Sequence, residues 1–485
     1  MAGNVVVVVG SLGGGDLDAD RISGLPDDLL HSILLRLPGA TAEAARTSVL
    51  SRRWRRVWAG LPELSLRYAN DPRAPERVDA ALAACSAPSV RRLDIAMPYF
   101  LPPHATAARV PSWLRFASRR VAGELRLTLP PPLHHNGGRR PQQQQEEEEE
   151  ELTLPLCERL TAATLNIRRT LRLSSPAAGG GKFAALASLR IVFARVDGGE
   201  LARVVSSRCP RLEELVLEAV SLEDGDHAHA VVSIRSGSLR RLVTALLPGF
   251  AGRLDIVAPE LRTFYPRTLC DFDLVSPKLS RLRWPNADYD PCCHRLVEVG
   301  CHLQHLATVA NSPAAALMRR FDAVDELSLT ALVGKGVEEY KGYLEDIDRL
   351  TKCRVLSIRF LQLKHALKPT ILHLLGKCNG IRKLVVQLSG TENNFRCNVM
   401  GCPCGVAEPI ANTISLDSLE EIEVVDDGEE CHRAELVRLL CKSSAMFQKR
   451  VTIIIQERRK GGYTQENIHR YFPRSNNVEI IIRPV

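Results

Sequence analysis

One short apolar pattern recurs along most of the chain and restricts its fold more than any other feature: apolar, two residues, Leu, one residue, apolar. It runs as Val90-x-x-Leu93-x-Ile95, Ala122-x-x-Leu125-x-Leu127, Ala162-x-x-Leu165-x-Ile167, Leu186-x-x-Leu189-x-Ile191 and Leu212-x-x-Leu215-x-Leu217. Further copies stand at Leu239-x-x-Leu242, Leu279-x-x-Leu282-x-Trp284, Leu303-x-x-Leu306, Val324-x-x-Leu327-x-Leu329 and Cys353-x-x-Leu356-x-Ile358. Ile381-x-x-Leu384-x-Val386 and Leu419-x-x-Ile422-x-Val424 close the series. Two apolar residues at alternate positions lie on one face of a strand, and the apolar residue before them packs the turn into it. One such unit cannot bury its own face. Stacked units share a core and align their strands into a curved parallel sheet, with returning arms that are helical in places, as over Gly199 to Arg208.

Most neighbouring copies lie roughly 20–30 residues apart, the period of leucine-rich repeats. Composition agrees with a Leu-built interior: 45% of residues are hydrophobic, yet only 5% are aromatic. The Asn that usually follows the strand in regular repeats is mostly missing, so an irregular arc is expected rather than a uniform horseshoe. Pro130 to Glu151 interrupts the series with prolines, glutamines and glutamates that have nothing to bury, and residues 131–151 read as a disordered insertion. His134-His135 within it reads as polar filler.

At the N-terminus, Val5 to Val9 lacks a basic flank and is too short for a signal-peptide core or a membrane span; with Gly13-Gly14-Gly15 it makes residues 1–19 a disordered tail. The 14 cysteines are scattered with no secretory signal upstream, so the reducing nucleus or cytoplasm is the expected compartment, with most thiols buried. A net charge of +8 is modest for 485 residues and does not establish nucleic-acid binding.

Asp20 to Trp58 departs from the repeat pattern. Pro26 followed by Asp27-Asp28 reads as a helix start, with the carboxylates at the positive end of the helix dipole. Leu29, Ile33 and Leu37, with Leu30 and Leu34 beside them, make one wide apolar face that Pro38-Gly39 ends. Thr41 is a plausible N-cap for a second helix, and Ser48 for a later one. Val49, Leu50, Trp54, Val57 and Trp58 form the next apolar stripe, with Arg46, Arg52, Arg53, Arg55 and Arg56 over much of the other side. About forty residues cannot close a sizeable core. The extra surface comes either from the rest of the chain or from a separate protein.

This segment resembles the F-box, in the plant version that opens D-R-I-S-x-L-P-D-x-L-L and closes R-T-S-V-L-S-x-R-W-R-x-x-W. Those stretches are Asp20 to Ser23 with Leu25 to Leu30, and Arg46 to Trp58. Glu43-Ala44-Ala45 is a mild departure. The resemblance implies docking onto a Skp1-like adaptor and, through it, a cullin-RING ubiquitin ligase. The residues it carries to that interface are Leu25, Pro26, Leu29, Leu30, Ile33, Leu34, Leu37, Val49, Leu50, Trp54 and Trp58, some of which must instead hold the helices together.

From about Leu361 the texture changes. Pro369 to Lys377 reads as a helix, Ile381 to Leu388 as a strand, Ser418 to Val424 as a strand, Glu429 to Ser444 as an amphipathic helix with Leu436, Leu439 and Leu440 on one face, and Lys449 to Ile455 as a strand. This order resembles the FBD domain, which follows F-box and repeats in many plant proteins and brings no chemistry to carry over. The tail Gly461 to Val485 reads either as an extra strand, Val478 to Ile482, or as a loosely docked segment. The fold class expected is α/β: a helical F-box at 20–66, an irregular leucine-rich-repeat solenoid at 67–360, an α/β FBD region at 361–457 that continues it, and a tail at 458–485.

The sequence lacks G-x-S-x-G, G-x-x-x-x-G-K-[ST], a G-x-G-x-x-G after a strand, and H-E-x-x-H. Cys397, Cys402 and Cys404 are not spaced as a zinc-finger pair, even with Cys431 and His432 added, and Cys292-Cys293-His294 with Cys301-His302 is no better. No catalytic residue, cofactor or metal site is expected. The expected role is a non-catalytic scaffold that holds a protein substrate near another protein's chemistry, with no nucleic-acid or membrane partner. Rival classes are a non-ligase interaction scaffold, a basic nucleic-acid binder using Arg52 to Arg56, and an enzyme housed in the arc, for which no residue set presents itself. Substrate would meet the outward positions of the strands: Glu214, Val216, Glu218, Arg281, Arg283 and Arg382, with Arg190, Val192, Glu326, Ser328, Lys383 and Val385 nearby.

Overall fold

The structure is a computed structural model that describes most of residues 22–130, 151–457 and 477–484. Outside it lie residues 1–21, 131–150, the segments 38–39, 102–105, 174–180, 224–230, 268–269, 286–288, 389–400, 406–415, 427–435, 442–449 and 458–476, and a few single positions, so the expected helix end at Pro38-Gly39 is not described. The N-terminal tail, His134-His135, Cys397, Cys431 and His432 therefore fall outside the described residues. The chain divides into two compact units, residues 1–134 and 135–485.

The first unit opens with helices α1 (Asp27–Leu34), α2 (Ala40–Arg46) and α3 (Arg52–Ala59), with a 3-10 turn Thr47–Val49 before α3. Parallel strands Glu63–Arg67, Val90–Ala96 and Val121–Thr128 follow, linked by helices α4 (Ala74–Ala84) and α5 (Val110–Arg120). Leu64, Leu66, Leu93, Ile95, Leu125 and Leu127 are buried, as alternation requires. The Trp113 indole of α5 donates to Asp79 of α4 at 2.6 Å, which gives this buried ring's one donor a partner.

Two expectations about caps are corrected. Thr41 lies inside α2, buried, and its hydroxyl accepts from the Ser65 amide at 2.7 Å, so it ties the helix to the first strand. Ser51, not Ser48, caps α3, accepting from the Trp54 amide at 3.4 Å; the 3-10 turn over Thr47–Val49 delays the helix start by three residues.

In the second unit a parallel sheet runs in chain order through strands Ala162–Asn166, Ser188–Val192, Glu214–Glu218, Arg241–Ala245, Thr263–Arg267, Arg281–Trp284, His302–Val309, Ala323–Val333 and Lys352–Leu363. It continues without reversal through Lys383–Leu388, Glu421–Asp426, Val451–Glu457 and Val478–Pro484. Val451–Glu457 corresponds to the strand expected at Lys449 to Ile455, and Val478–Pro484 pairs with it in parallel as the extra strand, the first of the two readings given to the tail. Every strand that carries the repeat pattern buries its key leucine or isoleucine. One strand escaped the pattern: in Thr263–Arg267, Phe264 takes the Leu place and Pro266 the next, behind a buried Leu261.

The returning arms vary with the spacing between strands. Helices α6 (Gly198–Arg203), α7 (Ser312–Arg319), α8 (Val337–Asp348) and α9 (Leu367–Leu375) fill the longer returns; α6 runs on as a π-helical turn to Arg208, close to the helix expected there. In the middle of the unit the returns are short strands: Val231–Arg235, Arg253–Val257, Asp271–Val275 and His294–Val297 form a second parallel sheet, and Glu151–Thr153, Thr170–Arg172, Arg195–Asp197 and Ser221–Glu223 a third. Where successive strands are only about twenty residues apart, an extended return covers the distance at ~3.3 Å per residue and a helix at ~1.5 Å cannot. Glu151, expected to lie within the insertion, instead begins a strand and pairs with Arg172 at 2.5 Å. Of the expected helix Glu429 to Ser444, residues 436–441 are described; they are helical, with Leu436, Leu439 and Leu440 buried. No helix among the described residues is long and apolar enough to cross a membrane.

Candidate functional site

The three N-terminal helices leave several large apolar side chains uncovered. Ile22 is 55% exposed, Leu29 48%, Ile33 42%, Leu50 65% and Val49 82%. Leu29 and Ile33 stand four residues apart on α1 and share a face. Val49 and Leu50, with Leu37, Glu43, Arg46 and Thr47, line a shallow groove. Pro26 is also exposed, while Leu25, Leu37 and Trp58 are half-buried.

The rest of the set singled out from the sequence turns inward. Leu30, Leu34 and Trp54 are buried and hold the helices to one another. Periodicity could not separate these two groups, because Leu29 and Leu30 are sequence neighbours on one wide stripe. Which of them meets α3 depends on how α3 crosses.

The arginine face proves partly internal. Arg53 of α3 donates to Asp27 Oδ1 at 2.7 Å through Nη2 and at 3.2 Å through Nε, and also to the Leu25 carbonyl. It staples α3 to the start of α1. His31 of α1 meets the Val57 carbonyl at 2.8 Å and adds a second tie between the same helices. Arg46 pairs with Glu43 at 2.6 Å beside the groove, and Arg52 and Arg56 are exposed.

In the second unit, in-register parallel pairing turns single outward residues into rows. One row reads Ser188, Glu214, Arg241, Thr263, Arg281, His305, Glu326, Val355, Lys383 and Glu421. Glu214 accepts from the Ser188 hydroxyl at 3.0 Å and pairs with Arg241 at 2.9 Å; Glu218 pairs with Arg190 at 2.6 Å. Lys383 bridges Glu421 at 2.6 Å and Glu423 at 2.8 Å. Arg281 and Arg382 are exposed, and the exposed Arg283 places its guanidinium 4.9 Å from the centre of the Tyr265 ring. His305, which sequence reasoning passed over, lies in the same row and reaches Ser328 Oγ at 3.0 Å. Burial first, then the neighbouring Arg281 and Arg283 charges, pushes its imidazole below its ordinary pKa against the pull of Glu326.

Val216 is a correction. It lies on the outward row but is only 6% exposed, in a cluster with Val243, Ala245 and half-buried Tyr265. Alternation gives the face on which a side chain stands, whereas its neighbours across the ladder decide whether anything can touch it. The remaining residues do not converge on a pocket. Glu214 and Arg281 stand three strands apart, roughly 14 Å, and Arg281 and Arg382 about four, roughly 19 Å.

Comparison with known proteins identifies an F-box domain over residues 22–65, which spans the three helices and reaches the first strand. The F-box protein At5g03100 of Arabidopsis thaliana is 34% identical over 115 residues, covering 24% of this chain and 34% of that protein. The F-box/LRR-repeat protein At5g02910 of Arabidopsis thaliana is 47% identical over 73 residues, 15% of each. The F-box/FBD/LRR-repeat protein At5g56420 of the same plant is 31% identical over 230 residues, 46% of this chain and 48% of that protein. The chain thus spans half or less of the length of these relatives. The chain therefore carries an F-box domain over its N-terminal helices and is similar to plant F-box/LRR-repeat and F-box/FBD/LRR-repeat proteins.

Proposed function

We propose that this protein is the substrate-recognition subunit of a Skp1-cullin-F-box ubiquitin ligase. In this reading the F-box at 20–66 docks on a Skp1-like adaptor, residues 67–360 form an irregular leucine-rich-repeat solenoid, and an FBD region at 361–457 continues the same ladder. A protein substrate meets the outward rows of strands. The observation that carries the reading is the uncovered apolar surface of the F-box helices, Leu29, Ile33, Val49 and Leu50 above all. Side chains of this size gain about 1.5–3 kcal/mol each when a partner removes them from water. Leu30, Leu34 and Trp54 then act indirectly, by fixing the helices that display the others.

The test is co-purification of the full chain with a Skp1-like adaptor. Leu29→Ala with Leu50→Ala should weaken binding by about 2 kcal/mol or more, roughly thirtyfold, with thermal unfolding of the chain unchanged. Wild-type binding by the folded double variant would overturn the docking surface.

A further inference from the structure

Among the described residues, one group of three potential metal donors comes together: His365, Cys402 and Cys404, with their ligand atoms all within 4.8 Å of one another. His365 follows the strand Lys352–Leu363, two residues before α9. Cys402 and Cys404 sit on a tight turn that Gly401 enters with φ +76° and that ends in the 3-10 turn Pro403–Gly405. The turn packs against α8 and α9. All three side chains are buried, at 0%, 4% and 6% exposure. His365 lies 37 residues before Cys402, which is why the cysteine spacing alone suggested no site.

The imidazole is already oriented as a ligand would be. Its Nε2 lies 2.7 Å from the Gly334 carbonyl, which can only accept, so Nε2 carries the proton and the Nδ1 lone pair faces the cysteines. Metal-bound histidines are held in this way by a carbonyl on the far nitrogen. The Tyr340 ring packs on the imidazole at 4.7 Å, and its hydroxyl is itself held by His373 Nδ1 at 2.9 Å. Nδ1 stands 3.5 Å from Cys402 Sγ. A tetrahedral ion with a sulfur at ~2.3 Å and a nitrogen at ~2.0 Å separates the two by about 3.5 Å.

We propose that His365 Nδ1, Cys402 Sγ and Cys404 Sγ bind a zinc ion that pins the 401–405 turn to the helix layer. Two thiols and one imidazole form a soft, low-charge donor set suited to Zn²⁺. Binding forms two Zn–S bonds and one Zn–N bond, releases the two thiol protons to solvent, and involves no redox change. The doubly negative thiolate pair neutralises the ion, which makes a buried site affordable. The fourth corner is left to a donor beyond these three. The long connection between the strands Lys383–Leu388 and Glu421–Asp426 is then fastened near its middle, which lowers the entropy lost in ordering it.

The test uses the full chain, reduced and stripped with chelator, and cobalt(II) as the probe. Cobalt should give the intense visible bands of a tetrahedral site together with near-ultraviolet thiolate charge transfer, and zinc should bleach both. Cys402→Ser and Cys404→Ser should each weaken the charge-transfer band, while Cys292→Ser/Cys293→Ser/Cys301→Ser, at thiols near or on the surface, should leave it unchanged. Zinc should also shield Cys402 and Cys404 from alkylation read by mass spectrometry, a measurement on wild-type chain that does not depend on the variants folding. A cobalt spectrum without thiolate charge transfer, or no zinc protection of these two thiols, means that the trio is a thiol–imidazole hydrogen bond only and overturns the proposal. So does a band that depends on the near-surface trio instead.

Discussion

Arg53 and Asp346 show what single buried or half-buried charges do here. Arg53 binds a carboxylate and a carbonyl at once, a geometry that its planar fork allows and that a lysine cannot reproduce. Arg53→Ala should lower the stability of the F-box helices by about 1 kcal/mol, discounted for partial exposure, with Arg53→Lys recovering only part of it; thermal unfolding of the two variants checks this. Asp346, on α8, is buried, and desolvation raises its pKa to about 6, with Glu345 adding and Arg349 opposing. Because the folded pKa lies above the unfolded one, the native state binds more protons between about pH 4 and 6, and stability falls as pH rises through that window. Asp346→Asn should therefore gain about 1–2 kcal/mol over wild type at pH 7 and little or nothing below pH 4, as read from denaturant midpoints at both pH values.

Among the elements, the insertion and the returning arms respond to different forces. Residues 132–149 are almost entirely polar or turn-forming, with Leu133 the one large apolar side chain, a composition that supplies no core, whereas Glu151 is a strand residue paired with Arg172. Deleting 132–149 should leave the melting temperature nearly unchanged, and a drop of several degrees would show that the segment packs. Extending the deletion through Leu152, which is buried, should destabilise the second unit by about 2 kcal/mol or more. The short return strands obey the same logic of length: Val232 and Ile234, Leu254 and Ile256, and Phe272 and Leu274 alternate as clearly as the main strands do. Their signal was legible but outweighed by the stronger leucine pattern beside it.

For the molecule as a whole, the proposed substrate face is a long row rather than a pocket. Its acidic members are already engaged, Glu214 by Arg241 and Glu218 by Arg190, so reversing them would disturb the ladder as well as any partner. Arg281 and Arg283 are the cleaner probe, since both are exposed and neither forms an ion pair among the described residues. Arg281→Glu with Arg283→Glu should keep adaptor binding and the melting temperature near wild type while depleting captured substrates, as measured by affinity purification with ligase activity blocked. Retention of every candidate at wild-type level would move the search to the region after Leu361.

Local chemistry was enough to establish the start of the first helix, the buried face of each strand that carries the repeat pattern, the parallel pairing of those strands and the F-box itself. Each depends on residues close in sequence: Pro26 before two aspartates, alternation in Leu215-x-Leu217, an unbroken motif from Arg46 to Trp58. Tertiary structure alone decided matters that depend on residues far apart. The crossing of α3 over α1 buries Leu30 and leaves Leu29 in water; the ladder neighbour Val243 shields Val216; and a turn 37 residues away brings Cys402 to His365. Periodicity assigns a side chain to a face, and only the packing of other elements against that face determines whether it is core, surface or ligand.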